Sequence, residues 1–241
     1  MKNTVGFLGI IALAALVGLS ACDTGSGGGG APGGGGTPGG GGGGAGAHPG
    51  ATLNLSGQVW IEDTDQHLTG DRDVFARSWV PGGMVDFGGE GAITAGQLSF
   101  SIGTPAVLTN AAEFLGEEIG GLYSDFSVVP AGAMGAMIQS LSASTSGPFG
   151  GTTSLSRNLF SGGTTSVFEQ VIFVYVDRNV TLTGGGGTFT EDGETYTVGN
   201  LNLGLRTGWN AVLSTGSFSG SNIHSAHSLA NPNHLRWQIG S

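Results

Sequence analysis

The distribution of glycine most limits what this chain can fold into. Seventeen of the 50 glycines lie between Gly25 and Gly50, where, apart from three prolines, no apolar side chain is larger than alanine. Such a segment cannot build a core, so a disordered Gly/Pro-rich linker is predicted up to residue 50. A Gly-rich coil of about 27 residues reaches roughly 30 Å between its ends. His48 is assigned no role, and residues 51–241 are left to form a single domain.

Short strands separated by turns are the main signals in residues 51–241. Leu98–Ile102 alternates apolar and polar residues, which is typical of a half-buried strand. Val171–Val176 is apolar at every position, which predicts a central strand covered on both faces. Leu235–Ile239 is expected to be a last strand within the sheet. The fold class is therefore predicted to be all-β, a single antiparallel β-sandwich or barrel-like domain.

Two stretches fit this pattern less well. Ala111–Ile119 has the composition of one or two helical turns, so the domain is expected to hold one short helix. Met134, Met137, Ile138 and Leu141 have helical spacing, but glycines interrupt them. We favour a loop followed by a strand there, with a helix as the alternative.

The N-terminus has the features of an export signal. Lys2 precedes the apolar run Val5–Leu19, and small residues follow that run. As a helix, this run is about 22 Å long, which is short of the roughly 30 Å of a bilayer core. Residues 1–21 are therefore predicted to be a signal peptide.

The end of that run resembles the lipobox of bacterial lipoprotein precursors. Leu19-Ser20-Ala21-Cys22 places the single cysteine of the chain directly after two small residues. The resemblance implies cleavage before Cys22, a diacylglyceryl group on its sulfur and acylation of its amine. Two or more acyl chains give a lasting membrane anchor. The expected location is the bacterial cell envelope, at the outer membrane or cell surface, with the leaflet left open.

The order of several short motifs in the mature chain is similar to that of uncharacterised spirochaete-type envelope lipoproteins. The resemblance covers nearly all of residues 53–239, and its motifs lie in five segments: Ser56–Trp60, Gly91–Thr94 leading to Ile102–Pro105, Gln170–Asp177, Gly208–Val212 and Leu235–Trp237. It implies a β architecture and an envelope location, and it supplies no activity or catalytic residue.

Charge and cysteine content exclude several functions. The net charge is −10 with only seven basic residues, so the chain lacks the cations that bind nucleic acid without sequence preference. One cysteine excludes an internal disulfide framework and a Cys-based zinc site. No cofactor is predicted.

Two clusters of side chains have the composition of a metal site. The first is acidic, and its carboxylates suit Ca²⁺ without matching an EF-hand: Glu62, Asp63, Asp65, Asp71 and Asp73. The second is a set of imidazoles that suit a transition metal: His224, His227 and His234. We interpret both as surface loops and predict no metal ligands, with a calcium-stabilised module as an alternative.

Four glutamates and four tryptophans complete the candidates. Paired carboxylates for glycoside hydrolysis cannot be assigned from the sequence, because only the fold sets the distance between them. The four candidate glutamates are interpreted as solvated surface residues: Glu113, Glu117, Glu118 and Glu169. Trp60, Trp209 and Trp237 lie in strand patterns and are expected in the core. Trp79 lies in a loop context, where an exposed ring would mark a contact surface.

These observations predict a lipid-anchored envelope or surface lipoprotein. Its β domain is expected to bind a ligand or serve as structure without catalysis, with the bilayer contacted through acylated Cys22. The protein or glycan partner is not identified by the sequence. A surface carbohydrate-acting hydrolase using paired carboxylates is the alternative enzyme reading.

Overall fold

The computed structural model describes most of the chain after residue 46. The described ranges are 47–62, 64–80, 83–144, 152–161, 166–191, 193–230 and 235–240. The predicted signal peptide, Cys22, most of the predicted linker, Asp63 and His234 lie outside them. No helix in the described ranges has both the length and the apolar character needed to cross a membrane.

The described residues form an all-β domain with one short α-helix, as predicted. The strands are β1 (Leu53–Ile61), β2 (Arg72–Phe75), β3 (Arg77–Val80), β4 (Gly83–Asp86), β5 (Glu90–Thr94), β6 (Gln97–Ile102), β7 (Thr109–Asn110), β8 (Ser124–Val129), β9 (Met134–Ile138), β10 (Leu141–Ser144), β11 (Thr152–Ser161), β12 (Ser166–Val176), β13 (Val180–Gly185), β14 (Gly187–Glu191), β15 (Glu194–Val198), β16 (Leu201–Leu205), β17 (Gly208–Ser219), β18 (Asn222–Leu229) and β19 (Arg236–Ile239). The helix, α1 (Ala111–Glu118), begins at Asn110, whose side chain accepts a hydrogen bond from the Ala112 amide.

Seven strands close into a barrel in the order β1–β6–β5–β2–β10–β11–β19. Every pair around it is antiparallel except β1 and β19, which run parallel. Alternate residues of the barrel strands face its interior, as in β6, where every second side chain is buried and the others are exposed. The last strand pairs with both the first strand and β11, and these pairings complete the barrel.

Strand β12 extends beyond the barrel and is central, as its apolar sequence predicted. Val171–Val176 are all buried. Val171, Phe173 and Tyr175 belong to the barrel core, and the intervening side chains point to the opposite face of the sheet. The prediction that both faces of this strand are covered is confirmed.

The sheet continues outward from β12 in the order β17–β18–β15–β14. A separate sheet, ordered β16–β13–β8, contacts one face of this extension through β16 and β18. The extension therefore has one face toward the small sheet and one face turned away from it.

Residues 134–138 and 141–144 form strands, in agreement with the favoured interpretation of that stretch.

The chain enters the domain through an N-terminal strap, Ala47–Gly50. The Trp209 amide donates to the Gly50 carbonyl at 2.7 Å. Gly208 has a φ of +96°, and a side chain there would collide with the same carbonyl. The folded region thus includes residues that the sequence assigned to the linker.

Candidate functional site

One face of the extended sheet carries short polar side chains in two rows. We call it the hydroxyl face. The first row runs across four strands through Thr188, Thr197, His224 and Ser217, which are register partners from β14 to β17. The second row runs through Thr190, Thr195, Asn222 and Ser219 on the same strands. Register partners in a sheet share a face, so the eight side chains form one surface.

This face is turned to solvent. All eight residues are exposed or partly exposed. Neighbouring strands lie about 4.8 Å apart, so each row spans roughly 14 Å.

Much of its hydrogen-bonding capacity is unused. Thr188 and Thr197 share one hydroxyl–hydroxyl contact at 3.2 Å. Within the described ranges, the hydroxyls of Thr190, Thr195, Ser217 and Ser219 make no hydrogen bond to another protein group. These groups can donate to and accept from a ligand.

The aromatic and branched side chains of these strands lie on the other face. Residues that alternate with the hydroxyl face include Phe189 and Tyr196, whose rings stack with centroids 5.1 Å apart. Ile223 and Phe218 continue that side. The two faces therefore differ sharply in polarity, and the polar one is turned away from the small sheet.

The two described histidines of the imidazole cluster, His224 and His227, do not face a common point. His224 and His227 lie on strand β18, so the interpretation of this stretch as a loop is wrong. Being three residues apart on a strand, they point to opposite faces. The Ser/Asn-rich composition concealed a strand whose burial alternates at every position. His234 lies outside the described residues.

His227 contacts a buried tyrosine on the inner face. The Tyr123 hydroxyl and Nδ1 of His227 share a hydrogen bond of 2.8 Å. Desolvation lowers the pKa of His227 to about 4, and burial raises the pKa of Tyr123 to about 12. Both groups are therefore neutral near pH 7, and they join strand β18 to the segment just before β8.

The acidic run is spread among separate structural contacts. The Asp71 carboxylate accepts from the Ala95 amide and so supports the β5–β6 turn. Asp65 pairs with Arg236 at 3.5 Å. In the described part of the chain, no three His, Cys, Asp or Glu side chains gather as metal ligands. Asp63 is outside the described residues, whereas Glu62 and Asp73 are exposed.

Three of the four glutamates lie on α1 and the fourth lies on β12. Glu113 and Glu117 are exposed on α1, and Glu169 is partly buried on β12. Glu118 accepts a hydrogen bond from the Gln139 amide at 2.6 Å. The pKa of Glu118 is raised, because the effect of burial outweighs that of the Gln139 hydrogen bond, which lowers the pKa. A raised pKa suits a general acid, but Gln139 occupies one of the carboxylate oxygens.

Two tryptophans are in the core as predicted, and one is not. Trp209 and Trp237 are buried, and their indole N–H groups donate to the carbonyls of Gly103 and Ser56. Trp60 instead lies on the outer face of the barrel, half-buried beneath other side chains. The Arg236 guanidinium lies 4.1 Å from its ring centroid, and the His67 ring lies 3.7 Å away.

Trp60 was expected in the core because its strand is apolar at Val59 and Ile61. Its position follows from strand alternation, since Val59 takes the inward face. The side chain of Trp79 lies outside what the structure describes.

No protein-family model matches the chain, and no curated protein or solved structure is significantly similar to it.

The hydroxyl face was missed by sequence reasoning. Its signal is the repeated spacing of Thr188/Thr190, Thr195/Thr197 and Ser217/Ser219, in which a small hydroxyl residue flanks each aromatic one.

Proposed function

We propose that this protein is a lipid-anchored lipoprotein of the bacterial cell envelope whose β domain binds a ligand without catalysis. The anchor rests on the signal-like segment 1–21 and on Cys22 at its end. The expected location of the protein is the outer membrane or the cell surface. The observation that carries the binding function is the hydroxyl face, an exposed array of eight short polar side chains on a rigid sheet.

The physical argument for binding is preorganisation. The backbone of each strand is fixed by its neighbours, and short side chains lose little rotamer freedom when they contact a ligand. Several hydroxyls have no protein partner in the described ranges. A ligand can therefore gain hydrogen bonds here at low entropic cost.

Photocrosslinking on intact cells tests this function. The full chain carries a photoreactive phenylalanine derivative at Thr197, on the hydroxyl face. The matched control carries it at Ser99, an exposed position on the outer face of the barrel. We expect ultraviolet light to produce an adduct with an envelope component at position 197 and none at position 99.

Equal adduct formation at both positions would contradict a binding role for the hydroxyl face, as would no adduct at either position. Both variants are first compared with the natural chain by circular dichroism, so that a misfolded variant is not scored.

A further inference from the structure

We infer that the ligand of the hydroxyl face is an extended neutral polysaccharide. This inference rests on the proposed binding function and adds the chemical class of the ligand. Its basis is the match between an array of hydroxyl, amide and imidazole groups and a polymer whose outer groups are hydroxyls.

The charge of the face excludes ionic polymers as preferred ligands. Its eight residues include no Asp, Glu, Lys or Arg, and the whole chain has a net charge of −10. Nucleic acids and acidic glycans need Lys or Arg to neutralise their charges. A neutral polymer meets no such repulsion.

The side-chain types argue against a protein or a lipid as the ligand. Protein interfaces concentrate their binding energy in Trp, Tyr and Arg side chains, and none of these is among the eight residues. Phe189, Phe218 and Ile223 point to the opposite side of the sheet. The face offers hydrogen bonds in place of apolar burial, which suits a polyhydroxylated chain.

The geometry suits an extended polymer more than a small molecule. The rows run roughly 14 Å across four strands, and the side chains within each strand are about 7 Å apart between rows. The eight groups are spread over both rows and all four strands, so a single sugar would contact few of them. A chain of sugar rings laid across the strands would contact both rows.

Co-sedimentation with insoluble polymers tests the inference. The full chain in mild detergent is mixed with cellulose, chitin or mannan, and with polygalacturonate as the acidic comparison. The test variant is Thr197→Val with Ser217→Ala, which removes two hydroxyls from the first row. The matched control is Thr94→Val with Ser99→Ala, which removes the same groups from exposed positions of β5 and β6.

We expect the natural chain to sediment with at least one neutral polymer and less with polygalacturonate. Losing one hydrogen bond weakens binding by about two- to tenfold, so the test variant should bind at least about fivefold more weakly. The control variant should bind as the natural chain does, and thermal unfolding should show that both variants are folded.

Three results would overturn the inference: no sedimentation with any neutral polymer, equal weakening by both variants, or stronger binding to polygalacturonate. These results leave the proposed function standing if the ultraviolet adduct at position 197 still forms. If that adduct is absent as well, the binding function of the face also fails.

Discussion

Replacing Asn210 by alanine is expected to lower the free energy of unfolding by about 3–4 kcal/mol. Asn210 is fully buried and is surrounded by polar backbone groups. Its amide nitrogen donates to the carbonyls of Arg206, Gly208 and Val174 at 2.8, 3.0 and 3.3 Å. Its amide oxygen accepts from the Arg206 amide at 2.9 Å and from His48 at 2.8 Å. The substitution leaves several of these groups without a partner.

The same residue explains how the strap is held. An amide oxygen only accepts, so Nδ1 of His48 donates to it. His48, assigned no role from the sequence, thus connects the strap to strand β17. Because this contact is one of several, His48→Ala is expected to cost only about 1 kcal/mol.

Urea unfolding of the natural chain and its variants at pH 7 measures these differences. The matched control is Asn200→Ala, because Asn200 is exposed and accepts one hydrogen bond from the Gly186 amide. It is expected to change stability by less than about 1 kcal/mol. An Asn210→Ala loss no larger than that of the control would show that the buried network contributes little.

The second large effect is a loss of stability in acid that depends on His227. Its pKa in the fold is about 4, below the ordinary value of 6.5 that it has when the chain unfolds. Between these values the unfolded chain binds a proton that the folded chain does not, so stability falls as the pH drops from about 6.5 to about 4. A difference of about 2.5 between the pKa values corresponds to about 3 kcal/mol at 1.36 kcal/mol per unit.

Unfolding free energies measured from pH 7.5 to pH 4 for the natural chain and for His227→Gln test this. Glutamine keeps a group that can bond the Tyr123 hydroxyl but does not titrate, so the variant should lose about 3 kcal/mol less over this range. His224→Gln is the matched control on the exposed face of the same strand. Parallel curves for the natural chain and His227→Gln would show that His227 is not the group responsible.

Local patterns predicted the strands whose burial is regular. The alternation of Leu98–Ile102 and the unbroken apolar run of Val171–Val176 each reflect contacts on one or two faces of a sheet, which sequence records directly. The helix at Ala111–Glu118 was also expected, and its cap at Asn110 is a local interaction. These elements depend on neighbours in the chain.

Barrel closure and the hydroxyl face depend on partners far apart in sequence. Strand β19 pairs with β1 across almost the whole domain, and no local pattern sets that register. Strand β18 has small polar residues on its outer face, so its composition resembles that of a loop. The Tyr123–His227 contact joins residues 104 positions apart, and desolvation rather than sequence spacing sets its pKa values. The two rows of the hydroxyl face depend on the register of four strands, which local sequence does not set.

The mass of the mature N-terminus tests the proposed lipid anchor most directly. The full chain is isolated from membranes of the bacterium that makes it, and its N-terminal peptide is analysed by mass spectrometry. We predict a peptide that begins at Cys22 and carries a diacylglyceryl group. The Cys22→Ser variant is expected to accumulate as an uncleaved precursor that carries no lipid. A mature chain that begins elsewhere, or a Cys22 that carries no lipid, would contradict the proposed anchor.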